Sequence, residues 1–384
     1  MKLKIGELGK VITGNTPSKK IKEFWGKDDV GFVKPDIISD EHIVRIKNDD
    51  CNEFISNAAI SKARIVPKNS VFVTCIGNIG KIGVATEDLA FNQQINAIIP
   101  NENVNLDYLC YAIFANKTRL QDIANAPIVP LLNKSQFSKF ELEFDMDINT
   151  QTRIVQELNT VSNIILKYKQ ELLLLDELVR ARFVEMFGDL RVNDKGWKYY
   201  KLDELTELIT DGEHATPKRT TQGIYLLSAR NVLNHQLSLE DVDYIDYDEF
   251  SRISRRIIPR EGDVLISCSG SIGRCCVVPK NIKFQMVRSI ALLRFKPNVN
   301  PIFAEYMITS DYLQDQINKS KTASSQANLF QGKIKSLKGV VPPLELQNQF
   351  ASFVQEIDKS RSRIQKSLEA SQELFDSLMQ EYFG

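Results

Sequence analysis

The sequence VFVTCIGNIGK at residues 71–81 returns as VLISCSGSIGR at residues 264–274, and most positions keep their chemical type. Each copy starts with a run rich in β-branched and apolar residues, which is typical of a strand, and then enters a Gly-x-x-Gly segment. Glycine tolerates the positive φ of a tight turn, so both stretches predict a strand leading into a hairpin. The glycine spacing matches neither GxGxxG nor GxxxxGK[ST], which favours a structural turn over a phosphate-binding loop.

Segments before and after residues 71–81 also match segments before and after residues 264–274, and they follow the same order in both halves of the chain. Further matches join 4–8 with 201–205, 11–13 with 208–210, the Thr-Pro turns at 16–20 and 216–219, the phenylalanine-led segments 91–94 and 284–288, and the Phe-Gly ends at 186–188 and 382–384. Conserved order at a nearly constant offset is the signature of a tandem duplication.

Each half combines a mixed region with a long helix. Short β-branched runs separated by turn residues predict an α/β domain, and an apolar pattern with alternating steps of four and three predicts a coiled-coil seam after it. The first seam comprises Ile154, Leu158, Val161, Ile165, Tyr168, Leu172, Leu175 and Val179. The second comprises Phe350, Val354, Ile357, Arg361, Ile364, Leu368, Ser371, Phe375, Leu378 and Tyr382. The alternatives are two helices that pack on each other, which we favour because each helix would overhang its domain, and two helices docked separately on their own domains.

The predicted fold class is therefore α+β. It consists of two tandem-repeated α/β domains at 1–150 and 189–346 and two long helices at 151–188 and 347–384.

Known catalytic patterns are missing from the sequence. The pair Pro342-Pro343 is followed by Leu344, which does not match the Asn/Asp-Pro-Pro-aromatic stretch of a DNA methyltransferase. The six cysteines form no CxxC pair, and the three histidines form no cluster with metal-ligand spacing. We therefore expect no catalytic residues, no metal site and no cofactor on this chain.

A DNA-binding function agrees better with the repeated loops. The composition is neutral, with 49 basic and 49 acidic residues, but phosphate binding needs only a local basic patch. Asparagine and glutamine can pair bidentately with adenine, and arginine with guanine. The candidate base-edge residues are Asn78, Gln93, Gln94 and Asn96 in the first half, and Ser271, Gln285 and Arg288 in the second. The candidate phosphate-binding residues are Lys19, Lys20, Lys81, Lys218, Arg219 and Arg274.

With these features together, the chain resembles the specificity subunit of type I restriction–modification systems. The resemblance extends over the whole chain, and it depends on the repeated openings of the halves, the two Gly-x-Ile-Gly hairpins and residues 342–347. The stretch 342–347 is similar to the family's Pro-Pro-Leu-x-Glu-Gln helix entry, with Leu346 in place of its glutamate. The first copy, residues 145–151, lacks the Pro-Pro.

The resemblance implies that 1–150 and 189–346 are target recognition domains, related by a pseudo-twofold axis. Each would read one part of a bipartite, asymmetric site in double-stranded DNA, and the antiparallel helices would set the unread spacer. It further implies two modification subunits that bind S-adenosylmethionine and transfer the methyl group. Restriction subunits would use ATP and Mg to translocate and cleave the DNA.

The alternative function is a two-lobed scaffold whose helices bridge protein partners without DNA readout. A gel shift at low and high salt separates the two, because phosphate contacts make the affinity fall steeply with salt. No apolar run in the sequence reaches the roughly 18 residues that span a bilayer, and the N-terminus lacks a signal-peptide core. These features predict a cytoplasmic protein.

Overall fold

The computed structural model describes residues 1–124, 130–320 and 328–384. The chain forms two compact units: unit 1 comprises Met1–Lys169 with Lys366–Gly384, and unit 2 comprises Gln170–Gln365. The predicted boundaries at 150, 188 and 346 follow the chain in order, whereas unit 1 draws on two separate segments. The reason is that each long helix is shared between the units.

Unit 1 begins with a series of short strands and helices. Its strands are β1 (Lys2–Lys4), β2 (Gly9–Thr13), β3 (Val30–Val33), β4 (Val44–Ile46), β5 (Phe54–Ile55), β6 (Ile65–Val66), β7 (Val71–Thr74), β8 (Ile82–Ala85), β9 (Leu89–Phe91), β10 (Ile95–Pro100) and β11 (Glu141–Glu143). Its helices are α1 (Ile5–Leu8), α2 (Leu106–Ala115), α3 (Lys117–Ile123), α4 (Lys134–Lys139) and the first part of α5 (Ile148–Phe187).

The main sheet of unit 1 has the order β2-β10-β7-β8-β4, and the first four of these strands pair antiparallel. Alternate residues of β7 face two different cores, as the period of two along a strand requires. Val71 and Val73 pack with α2 and the long helix, whereas Phe72 packs with Val33 and Phe91 of the second sheet, β5-β3-β9-β6. This burial on both faces explains why the β7 sequence is continuously apolar.

Unit 2 has corresponding elements in the same order. Its strands are β12 (Tyr199–Lys201), β13 (Thr206–Asp211), β14 (Ile224–Leu227), β15 (Val232–Leu233), β16 (Gln236–Leu237), β17 (Asp243–Ile245), β18 (Val264–Ser267), β19 (Cys275–Val277), β20 (Phe284–Met286), β21 (Ile290–Phe295) and β22 (Lys338–Val340). Its helices are α6 (Leu202–Leu205), α7 (Tyr247–Ser254), α8 (Pro301–Thr309), α9 (Asp311–Ser320), α10 (Gln331–Ser336) and the first part of α11 (Leu344–Phe383).

The sheets confirm the tandem duplication. The order β13-β21-β18-β19 repeats β2-β10-β7-β8, and the parallel pair β14–β20 repeats β3–β9. The same caps also recur, because Asn105 accepts hydrogen bonds from the first backbone N–H groups of α2 as Asn300 does for α8. The sequence alignment is wrong by two residues at the phenylalanine-led segments. Phe91 ends β9 as Met286 ends β20, so Phe91 corresponds to Met286 rather than to Phe284.

Both long helices begin three residues earlier than predicted, at Ile148 and Leu344. At 1.5 Å per residue, each 40-residue helix is about 60 Å long. For α5, the Asp147 carboxylate accepts hydrogen bonds from the backbone N–H groups of Asn149 and Thr150. The hydrogen bond from the Thr150 hydroxyl, and then those from the two backbone N–H groups, lower the pKa of Asp147. This cap starts the helix without the prolines that precede α11.

The predicted seams face inward in both helices, since every seam position is buried or half-buried. In unit 1, the start of α5 packs on the end of α11, with Leu158 and Phe383 in one core. In unit 2, the end of α5 packs on the start of α11, with Phe183 and Phe350 in ring contact at 5.4 Å. The helices are therefore antiparallel where they pack within each unit, which confirms the paired arrangement over separately docked helices.

Candidate nucleic-acid interface

The antiparallel sheet of unit 1 brings several predicted loops to one edge. Strands β2 and β7 end where β10 and β8 begin, so their connecting loops meet there. We call residues 14–16, 75–81, 92–94 and 130–132 the loop end of unit 1. The backbone N–H of Gly14 donates to Ile95 O at 3.0 Å, and that of Cys75 donates to Gln94 O at 2.8 Å. These loops are thus joined directly to one another.

The loop end of unit 2, defined as residues 212–214, 268–274, 287–289 and 328–331, has the same hydrogen bonds. Gly212 N–H donates to Ile290 O at 3.0 Å, and Cys268 N–H donates to Ser289 O at 2.7 Å. The bond from Leu132 N–H to Cys75 O in unit 1 also recurs, from Leu329 N–H to Cys268 O. The duplication therefore preserved the backbone of this edge.

The Gly-x-x-Gly segments are hairpin connections, as predicted. Gly80 and Gly273 have φ angles of 89° and 90°, in the region that favours glycine. A Cβ atom on Gly80 would also lie 2.8 Å from the Lys117 side chain. Thr74 and Ser267 stabilise the turns in the same way, because each hydroxyl donates to a loop carbonyl, Asn78 O or Ser271 O, at 2.6 Å.

Four predicted residues lie at the loop end of unit 1. Asn78 and Gln93 are exposed, whereas Gln94 and Lys81 are half-buried. The Lys81 ammonium donates to Pro35 O at 3.4 Å, and Gln94 accepts a hydrogen bond from the Asn92 amide at 2.8 Å. Among these four, Asn78 and Gln93 thus present the most accessible side chains.

The predicted phosphate-binding residues Lys19 and Lys20 lie outside the loop end of unit 1. Lys19 and Lys20 are exposed. The Lys19 ammonium lies 3.2 Å from the Glu53 carboxylate and 5.3 Å from the centre of the Trp25 ring. Hydrogen bonds from Lys34 and then Lys19 lower the pKa of Glu53, so this acid stays ionised. The charge of Lys19 is therefore partly neutralised within the unit.

In unit 2, the structure places Ser271, Arg274 and Arg288 at the loop end. Ser271 and Arg288 are exposed, and Arg274 is half-buried. Lys218 and Arg219 are exposed in the segment after the loop end. The Arg219 guanidinium lies 3.2 Å from the Asp243 carboxylate, which leaves it less available to phosphate than a free cation.

Two base-edge candidates are excluded by burial. The side chain of Asn96 is 1% exposed, donates to Cys75 Sγ and accepts from the Thr13 hydroxyl. Gln285 is 0% exposed and donates to Ser254 Oγ and Ile257 O, both at 2.9 Å. Both side chains support the fold, because strands β10 and β20 are covered on both faces.

The structure adds two residues that the sequence analysis missed. Thr16 and His214 lie at corresponding positions, each two residues after the glycine that begins its loop end. The sequence pairing of Thr16 with Thr216 is therefore wrong by two residues. The His214 Nε2 atom lies 2.8 Å from the Asp211 carboxylate, and this hydrogen bond fixes the orientation of the ring. In unit 2, His214, Arg288 and Gln331 line one polar groove of about 760 Å³. The repeat of the preceding Gly was the available signal for both residues.

The cysteines of the chain are buried, and two of them, Cys75 and Cys268, lie at the loop ends. All six cysteines are buried and unpaired, and burial raises the pKa of Cys51 and of Cys268 to about 12, which keeps the thiols protonated. Within residues 1–124, 130–320 and 328–384, no group of three or more His, Cys, Asp or Glu side chains could hold a metal ion. No helix in the described ranges is long and apolar enough to cross a membrane.

The model of the type I restriction modification DNA specificity domain matches residues 1–174 and 194–372 of this chain. The chain belongs to this family. The type I restriction enzyme MjaIX specificity subunit of Methanocaldococcus jannaschii is 25% identical, over 98% of this chain and 90% of its own length. The EcoprrI specificity subunit of Escherichia coli is 22% identical, over 93% of this chain and 87% of its own length.

A solved structure has the same fold as this pair of specificity domains. The crystal structure of a type I restriction–modification system S subunit from M. genitalium aligns with a TM-score of 0.61 and 13% identity, over 100% of this chain and 96% of that chain. The match of the family model to both halves confirms the family resemblance read from the sequence and the tandem specificity domains.

Both specificity domains retain one glutamine of the helix-entry motif. Gln347 is fully buried, accepts from Asn300 N–H at 2.8 Å and donates to Pro342 O at 2.7 Å. Gln151 is also fully buried and accepts from Asn105 N–H at 2.7 Å. The glutamine thus ties each long helix to the capped start of α2 or α8, even in the copy that lacks Pro-Pro.

Proposed function

We propose that this chain is the DNA-recognition subunit of a type I restriction–modification complex and that it reads a bipartite site in double-stranded DNA. The observation that carries the proposal is the match of one DNA specificity domain to each half of the chain. The two loop ends support it, since each specificity domain presents polar and basic side chains on the same backbone scaffold.

The two half-sites differ in sequence, because equivalent positions carry different side chains. Asn78 in one hairpin corresponds to Ser271 in the other, and Lys81 corresponds to Arg274. Such side chains discriminate between bases, because each base edge offers a different pattern of hydrogen-bond donors and acceptors. The basic residues predicted from the sequence bind the phosphates beside each half-site.

In this proposal the chain itself is not catalytic. Two modification subunits hold S-adenosylmethionine and transfer the methyl group, and restriction subunits use ATP and Mg for translocation and cleavage. Two observations support this assignment of roles to different subunits. The family description names DNA specificity, and the relatives are named specificity subunits. The family match favours this function over a scaffold without DNA readout.

The proposal is tested with the full chain, alone and together with its modification subunits. Selection from a pool of random duplexes should return one asymmetric motif with two separated blocks of defined bases. Binding to the selected duplex should weaken by orders of magnitude between 50 and 200 mM salt, because phosphate contacts release counterions. Methylation should require the modification subunits. Selection of no motif, or methyl transfer by the chain alone, would contradict the proposal.

A further inference from the structure

Gln93 and Arg288 occupy the same position in the two specificity domains. The residue before each donates its backbone N–H to the end of the neighbouring parallel strand, Asn92 to Val33 O at 3.1 Å and Val287 to Leu227 O at 3.0 Å. The carbonyl of the following residue, Gln94 or Ser289, accepts a hydrogen bond from the N–H of Cys75 or Cys268 in the hairpin loop. These hydrogen bonds fix the backbone before and after Gln93 and Arg288. The Cα atoms of the two exposed residues therefore occupy equivalent positions in the two loop ends.

In unit 1, the Gln93 amide is oriented by its neighbour. Its Oε1 atom accepts a hydrogen bond from the Thr16 hydroxyl at 2.6 Å. A carbonyl oxygen has two lone pairs, so one acceptor position and both N–H donors of the amide stay available. An acceptor beside a donor is the pattern that complements N6–H and N7 on the major-groove edge of adenine.

In unit 2, the guanidinium of Arg288 is free of the ion pairs that hold its basic neighbours. Arg252 pairs with Glu249 at 2.9 Å, and Arg256 pairs with Asp211 at 2.6 Å. Arg288 uses its backbone N–H to bond Glu213 O at 3.0 Å, and its side chain forms no ion pair with any described residue. It lines the polar groove beside His214. A free guanidinium fork complements the two acceptors O6 and N7 of guanine.

We propose that Gln93 and Arg288 are the paired specificity-determining residues of the two domains, with Gln93 reading an adenine in one half-site and Arg288 a guanine in the other. The inference rests on the proposed function and adds to it the identity of two readers and of their bases. Thr16 acts as a positioning residue for Gln93, since it directs the amide acceptor.

The test exchanges the two readers in the full chain and repeats the duplex selection. Arg288→Gln should replace a guanine by an adenine at one position of one half-site, and Gln93→Arg should make the opposite change in the other half-site. Arg288→Lys keeps the charge without the fork and should relax that position to several bases. On the wild-type duplex, each exchange should lower the affinity about 10- to 100-fold.

The matched control is Arg363→Gln, which removes the same charge from an exposed position on α11 where no described residue forms an ion pair with it. This variant should select the wild-type motif unchanged. Thermal unfolding verifies that each variant is folded.

The outcomes separate the inference from the proposed function. If wild type selects a bipartite motif and both variants select the same motif, Gln93 and Arg288 do not determine specificity. The proposed DNA-recognition function would still hold. An affinity loss with an unchanged motif would likewise assign both residues to the DNA backbone and overturn the inference. If wild type selects no motif, the proposed function itself is overturned.

Discussion

In unit 2, the guanidinium of Arg361 on α11 lies 2.6 Å from the carboxylate of Asp176 on α5. A second carboxylate, that of Asp358 on α11, lies 2.8 Å from the same guanidinium. Arg361 takes a seam position that is usually apolar in a coiled coil, and it is 29% exposed there. The inter-helix ion pair is what allows a charge at this position, and it requires these two residues to face each other.

We expect the pair of Arg361 and Asp176 to contribute little energy, because the Asp176 side chain is about half exposed. A double-mutant cycle with Arg361→Ala and Asp176→Ala should give a coupling of about 0.5 kcal/mol in urea denaturation. The coupling should vanish near 1 M salt, where the Debye length is about 3 Å. In the matched cycle, Arg363→Ala with Asp176→Ala should show none. A coupling above roughly 2 kcal/mol would mean that the pair is effectively desolvated.

The buried glutamine at the start of α11 should matter far more. Gln347→Ala leaves Asn300 N–H and Pro342 O without their partner, and each unsatisfied buried group costs about 1–3 kcal/mol. We expect a loss of about 2–5 kcal/mol in the free energy of unfolding, measured by urea denaturation. The control Gln349→Ala, at an exposed position of the same helix, should change stability by less than about 0.5 kcal/mol. Equal effects of both substitutions would refute the anchoring role.

The stability of unit 2 should depend on the ionisation of Glu305. Burial raises the pKa of Glu305, and His235, whose Nδ1 lies 3.6 Å from the carboxylate, offsets this only in part. The native state therefore binds more protons than the unfolded state from about pH 4.3 up to the raised pKa. In that window stability falls as pH rises, by at most about 1.4 kcal/mol per pH unit.

Glu305→Gln removes this titration, so its free energy of unfolding relative to wild type should increase from about pH 4.5 up to the raised pKa of Glu305. Urea denaturation across this range measures the difference. The control Glu240→Gln, at an exposed position, should run parallel to wild type. A pH-independent difference between Glu305→Gln and wild type would show that the carboxyl does not titrate in this window.

Heptad insertions should test whether the long helices set the DNA spacer. Seven residues added after Lys169 in α5 and seven after Lys366 in α11 fall at the borders of the compact units. They lengthen each helix by about 10 Å and keep the seam in phase. The read bases should stay the same while the selected spacer grows by about three base pairs at ~3.4 Å each. Affinity should fall, because three base pairs also turn one half-site by roughly 100°.

Insertion of four residues at the same places is the comparison, since it shifts the seam and should damage folding more than seven. Duplex selection and thermal unfolding measure the two effects. A folded heptad variant that still selects the original spacer would show that the separation of half-sites is set elsewhere.

The duplication, the hairpins at 71–81 and 264–274, and the two helices with their seams could be predicted from the sequence. These features depend on short-range information: β-branched runs, glycines at turn positions and apolar residues in steps of four and three. Even Arg361 could be placed in the seam from the spacing alone. The exposed candidates Asn78, Gln93 and Arg288 were found because they occur in repeated loops.

The folded structure was needed to show which polar side chains are exposed and which are buried. Asn96 and Gln285 carry the same amide group as Gln93, but their strands are packed on both faces. No local sequence pattern predicts this burial. Likewise, the correspondence of Gln93 with Arg288 depends on hydrogen bonds between strands that are distant in the chain. Burial and register are set by long-range packing, and for that reason the readers could be paired only in the folded protein.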